Sequence, residues 1–147
     1  MAIRTARTAW NGTLMEGSGQ TELTSSGAGT FSVSFPKRIA DEAGGTTSPE
    51  ELIAAAHASC YAMQFSHLIA EGGGTPVALD VQADVSVNPD PAGGLRINAI
   101  KLTVRGEVEG MDDATFKKTA DDAKATCPVS KALAGVDQVT LDAALES

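Results

Sequence analysis

The chain has 147 residues, enough for one domain with a sizeable core. Its net charge is −8, from 11 Lys and Arg against 19 Asp and Glu, which argues against the clustered basic surface that nucleic-acid binding requires. No apolar run of about 18 residues appears, so no membrane span is expected, and residues 1–10 lack the apolar stretch of a signal peptide, which makes the cytoplasm the expected compartment.

The first third reads as strands. Ala2–Trp10 and Thr13–Leu23 flank Asn11-Gly12, a hairpin dipeptide. Phe31, Val33 and Phe35 alternate with serines, which predicts a half-buried strand ending at Pro36. The polar stretch Lys37–Thr47 reads as a surface loop. A long helix follows: Ser48-Pro49-Glu50-Glu51 supplies an N-cap, a proline for the first turn and a capping-box glutamate. Gly72-Gly73-Gly74 stops it after about Glu71. Small and apolar residues occupy nearly every face of Leu52–Ala58, the pattern of a buried helix.

Two alternating stretches come next, Val77–Val87 and Arg96–Val108, joined by the turn segment from Pro89 to Gly94. Asp112–Ala125 predicts an amphipathic helix, Pro128 opens a short one to Ala134, and Val139, Leu141 and Ala143 end the chain as a strand. The order β-β-β, long α, β-β, α-α, β is an α+β pattern, read as a single domain over residues 1–147.

Cys60 and Cys127 are the two cysteines. In a reducing compartment a disulfide between them would be transient and catalytic, whereas two buried thiols would be small inert hydrophobes. Composition alone favours the inert reading. Cys60 lies mid-helix on a stripe with Ile53, Ala56, His57, Met63, Gln64 and His67. Cys127 precedes Pro128 and so takes the N-cap of a short helix, where the helix dipole lowers a thiol pKa; on that logic Cys127 is the more acidic of the two. His57, Cys60 and His67 share a helix face, but His67 stands about 10 Å along the axis from Cys60, too far for one zinc to take all three. No Gly-x-Ser-x-Gly elbow supports acyl transfer, and His57 as a base for Cys60 stays open.

Thr47-Ser48-Pro49-Glu50-Glu51-Leu52-Ile53-Ala54-Ala55-Ala56-His57-Ala58-Ser59-Cys60 resembles the signature of the OsmC/Ohr family of hydroperoxide reductases. Ala125-Thr126-Cys127-Pro128-Val129-Ser130-Lys131-Ala132-Leu133 resembles that family's second cysteine motif. The resemblance covers about residues 3–146, and Ala9-Trp10-Asn11-Gly12 looks more like the OsmC branch than the Ohr branch. It implies an intertwined homodimer with antiparallel sheets around long central helices, a peroxidatic Cys60, a resolving Cys127, and Arg38 and Glu50 in the site. It further implies an organic hydroperoxide substrate, with hydrogen peroxide as a second one, a dithiol reductant, and no metal, haem or flavin cofactor.

Helix arithmetic adds one expectation. Ten residues separate Glu50 from Cys60, about 15 Å of rise. A site containing both therefore draws Glu50 from a second copy of the chain, and the active unit is a two-fold dimer.

Overall fold

The computed structural model describes residues 1–146. The chain divides into two compact units, one up to Leu52 and one from Ile53 onward.

The first unit is built on a three-stranded antiparallel sheet of β1 (Arg7–Asn11), β2 (Ser18–Glu22) and β3 (Thr30–Val33), in that order. Asn11 pairs with Ser18, so the first connection is wider than the expected two-residue turn. Thr13 explains the width. Its carbonyl accepts from the Gly17 amide at 2.8 Å and its hydroxyl from the Glu16 amide at 3.2 Å, which closes a helical turn over residues 13–17. β3 also ends earlier than the Phe31-Val33-Phe35 alternation predicts. Ser34 is an N-cap whose hydroxyl accepts from the Lys37 amide, and Phe35 and Pro36 open a short helix, α1 (Phe35–Arg38). Proline ends a strand, but it also suits a first helical turn, and with a serine ahead of it the cap prevails. Arg38, expected in a loop, is thus the last residue of a helix.

Helix α2 (Pro49–Glu71) has the expected bounds. The Glu51 amide donates to the Ser48 hydroxyl at 3.2 Å, and Gly73, at φ 88°, carries the chain out of the helix. Its burial is one-sided: His57, Tyr61, Phe65 and Ile69 form a buried stripe, whereas Ala55 and Ala56 are exposed. The expectation of a helix covered on every face therefore does not hold within one chain.

The second unit contains the sheet β4 (Thr75–Pro89), β5 (Leu95–Glu109) and β6 (Gln138–Leu145), in that order. Helices α3 (Asp113–Thr126) and α4 (Pro128–Ala132) connect β5 to β6. β4 and β5 form the expected hairpin, but β6 runs parallel to β5. This corrects the expectation of purely antiparallel sheets. The two helices return the chain to the starting end of β5, and a crossover of that length is what a parallel pair needs.

The core lies between the Tyr61–Phe65–Ile69 stripe, the inward residues Leu102, Val104 and Val108 of β5, and Phe116, Ala120 and Ala123 of α3. The Phe65 and Phe116 rings meet edge-on with centroids 5.0 Å apart. Gly106 makes room for this arrangement. A Cβ there would stand 2.7 and 2.8 Å from two ring carbons of Phe116 and 3.0 Å from a Leu79 methyl. Gly106→Ala is expected to destabilise the protein by roughly 1–3 kcal/mol through overpacking. Urea unfolding measures it, and an unchanged midpoint would show that the ring yields freely.

Candidate active site

The sequence-predicted residues assemble as two pairs, one in each unit. In the first unit Arg38, at the end of α1, meets Glu50, in the first turn of α2. The Arg38 Nε–H donates to both Glu50 carboxylate oxygens at 3.1 Å, and Nη2 donates to Oε1 at 2.6 Å. Glu50 is buried and Arg38 partly so. Burial pushes the Glu50 carboxyl up, but the guanidinium hydrogen bonds and Glu50's own backbone amide outweigh it and hold the group below its ordinary value. Arg38 is raised in turn, chiefly by its hydrogen bond to Glu50. A guanidinium fixed in this way presents its remaining N–H groups in a set direction. Beside it lies an apolar cavity of about 390 Å³, lined by Trp10, Leu14, Val33, Phe35 and Leu52 along with Arg38 itself.

In the second unit the two cysteines meet. Cys60 lies on α2, and Cys127 is the residue between α3 and α4, at the N-cap of α4 as the Cys-Pro order predicts. Their sulfurs are 3.3 Å apart, both as free thiols. Three contacts fix the approach of α2 to this turn. The Tyr61 hydroxyl donates to the Ala120 carbonyl at 2.8 Å, the Gln64 amide donates to the Thr126 hydroxyl at 2.9 Å, and His57 Nε2 lies 2.6 Å from the Ser130 hydroxyl. Cys127 is completely buried, whereas Cys60 is half-buried.

The two thiols are electrostatically unequal. Burial raises Cys127, but the Ser130 amide and hydroxyl, the Val129 amide and the Cys60 thiol overcome that, and its pKa is lowered. No full capping hydrogen bond forms to its sulfur, so the effect comes from several partial donors. Cys60 is raised, first by burial and further by Cys127. Within one chain Cys127 is therefore the more acidic of the two thiols, as the helix-dipole argument anticipates.

The sequence profile of the OsmC-like protein family matches residues 42–142. The chain belongs to the OsmC-like family. It is 39% identical over 138 residues to the peroxiredoxin OsmC of Escherichia coli (strain K12), covering 94% of this chain and 93% of that one. It is 30% identical over 110 residues to an organic hydroperoxide resistance protein of Xanthomonas axonopodis pv. citri, covering 74% and 75%. The crystal structure of an organic hydroperoxide resistance protein OsmC from Legionella pneumophila shares the fold, with a TM-score of 0.72 at 22% identity over 98% of this chain and 99% of that one. The profile match takes in Glu50, Cys60 and Cys127, while Arg38 lies just ahead of it.

His57 is engaged with Ser130, and His67 faces Glu71 at 3.5 Å on the exposed side of the helix. Among the described residues no three His, Cys, Asp or Glu side chains converge on a point. Nor is any described helix long and apolar enough to cross a membrane. Ser130 is the residue that sequence reasoning missed. It stands within the second cysteine motif, but nothing in a serine three residues after a cysteine marks it as the partner of a histidine 73 positions away.

The Arg38–Glu50 pair has a pH signature. Because the folded pKa of Glu50 is depressed, its contribution to stability is complete above its ordinary value of 4.5 and is lost as the pH falls through the folded value. Thermal melts of the wild type and Glu50→Gln should differ at neutral pH and converge in acid. A gap that stays constant across that fall rejects the assignment.

Proposed function

We propose that this protein is a cysteine-based peroxidase that reduces organic hydroperoxides, and hydrogen peroxide as a second substrate. The observation that carries the reading is the 3.3 Å separation of the Cys60 and Cys127 sulfurs, free thiols from distant parts of the chain. A disulfide can close there with little movement. The names of the relatives, a peroxiredoxin and an organic hydroperoxide resistance protein, support the same chemistry.

Exposure supports the division of labour. A peroxide can reach half-buried Cys60 but not Cys127, which has no accessible surface. The Cys60 thiolate attacks the peroxide oxygen, the O–O bond breaks, and the alcohol leaves with a proton. The resulting sulfenic acid condenses with Cys127 to a disulfide and water. A dithiol from outside the protein then reduces that disulfide by exchange. The thiols carry the two electrons of each turnover, so no metal, haem or flavin enters. The expected compartment is the reducing cytoplasm.

The raised pKa of Cys60 is the obstacle, since the thiolate is the nucleophile. Arg38 is the group suited to reverse it, and it can orient the peroxide, with Glu50 holding the guanidinium in place. Glu50 and Cys60 are ten residues apart on α2, about 15 Å of helix rise, which is the ground for drawing the two from different chains. The complete site is therefore proposed to lie across a homodimer, with the exposed Ala55 and Ala56 allowing a second helix to approach closely. The apolar cavity beside Arg38 then suits the alkyl or aryl part of the peroxide.

Two experiments test this. With one equivalent of cumene hydroperoxide, intact mass should show both thiols lost in the wild type and Cys60→Ser inert. Cys127→Ser should end with an over-oxidised Cys60, and full peroxide consumption by Cys60→Ser would reject the assignment of roles. Mixing inactive Cys60→Ser and Arg38→Ala chains tests the composite site. A heterodimer would hold one intact site and should recover activity, whereas mixtures as inactive as their parents place Arg38 and Cys60 of one chain together.

A further inference from the structure

His57 is fully buried, and it is used neither by the peroxide step nor by a metal. Nε2 lies 2.6 Å from the Ser130 hydroxyl, while Nδ1 is the buried side-chain nitrogen without a hydrogen-bond partner among the described residues. Two tautomers are conceivable. With the proton on Nδ1, a buried N–H would point at nothing, and Ser130 would have to give its own hydrogen to Nε2. With the proton on Nε2, the orphan is a bare lone pair, and Ser130 keeps its hydrogen for another acceptor. Unpaired buried N–H groups are the rarer defect. The second arrangement also leaves the Ser130 hydrogen free for another acceptor, and Ser130 is the third residue of α4, one turn past Cys127 at that helix's N-cap. Burial holds the imidazole neutral, which matches a ring with one N–H and one lone pair.

We propose that His57 and Ser130 are positioning residues for Cys127: the His57 Nε2–H donates to the Ser130 oxygen, and the Ser130 hydroxyl donates to the Cys127 sulfur, holding it as the nucleophile that closes the disulfide. The proposal rests on the peroxidase reading for its place in the reaction. In that step the Cys127 sulfur attacks the sulfur of Cys60 sulfenic acid. The S–S bond forms, the S–O bond breaks, and the hydroxide leaves as water with the proton that Cys127 gave up. The relay supplies no proton. It stabilises the thiolate and keeps it aimed at Cys60, 3.3 Å away. The other titratable groups about Cys127 are Cys60 and Tyr61 of α2, with Asp121 of α3 acting on Tyr61. Within this chain none of these supplies a fixed positive charge, and the hydrogen-bond donors of the α4 turn are what it offers the anion.

The test is made in the Cys60→Ser protein, where a single thiol titrates and no coupling between two thiols confuses the curve. Thiolate ultraviolet absorbance is followed against pH. Ser130→Ala and His57→Leu should each raise the midpoint, while Ser130→Thr and His57→Gln, which keep a hydroxyl and an N–H in those places, should restore it. A merely structural role would leave the midpoint in place or fail to be rescued. This readout uses no peroxide, so it stands even if the peroxidase reading fails. In the protein with both cysteines, Ser130→Ala should let Cys60 sulfenic acid accumulate to trapping by dimedone, with disulfide closure slowed about tenfold, the effect of one hydrogen bond to a charged group. An unchanged midpoint in Ser130→Ala overturns the relay, and so does closure at the wild-type rate.

Discussion

The packing of the Tyr61–Phe65–Ile69 stripe of α2 against Phe116 and β5 is the constraint on which the second unit depends. Tyr61, Phe65 and Phe116 have no accessible surface, and each aromatic contact adds about 0.5–1.5 kcal/mol beyond burial. Cys60 stands next to Tyr61 on the same helix. Cys127 closes α3, the helix that carries Phe116. Once the aromatic seam is set, the Tyr61 hydroxyl on the Ala120 carbonyl fixes the rotation of one helix against the other. The 3.3 Å between the sulfurs is then a result of core packing and needs no bond between them.

The first unit is organised around a different interaction. The Arg38–Glu50 pair is held by three hydrogen bonds and shielded on the carboxylate side. Its members are drawn from two helix ends, the last residue of α1 and the first turn of α2, where each charge also suits the local helix dipole. A partly buried pair of this kind contributes less to stability than its geometry suggests, because both groups lose water. What it secures is direction, a guanidinium held on one side by its carboxylate and bordered by an apolar cavity.

Much of this was legible in the sequence. The ends of α2 follow from Ser48-Pro49 and the glycine run, and both are where the local chemistry puts them. The β4–β5 hairpin follows from alternation and a turn rich in Pro and Gly. The N-cap place of Cys127 follows from the proline after it. The features that were not legible depend on contacts between distant residues. The parallel β6 is decided by where α3 and α4 return the chain, which no pattern within Val139–Ala143 records. The end of β3 turned on the competition between a strand pattern and the Ser34 cap, and local hydrogen bonding prevailed. The bond between His57 and Ser130 joins two residues that are unremarkable in their own segments.

The unequal burial of the two sulfurs gives the recovery step of the proposed cycle a direction. In a disulfide between them, an incoming thiolate from solvent meets only the Cys60 side, because Cys127 is sealed in the core. The sulfur it displaces is Cys127, the thiol whose pKa is lowered, and a thiol of lower pKa departs faster. In that cycle the mixed disulfide with the reductant would form at the surface, with the expelled sulfur held in place beneath it. From there it can turn back on that mixed disulfide, so a reductant with only one thiol faces an internal competitor. A dithiol escapes it, since its second sulfur attacks the first before the protein can recapture the bond.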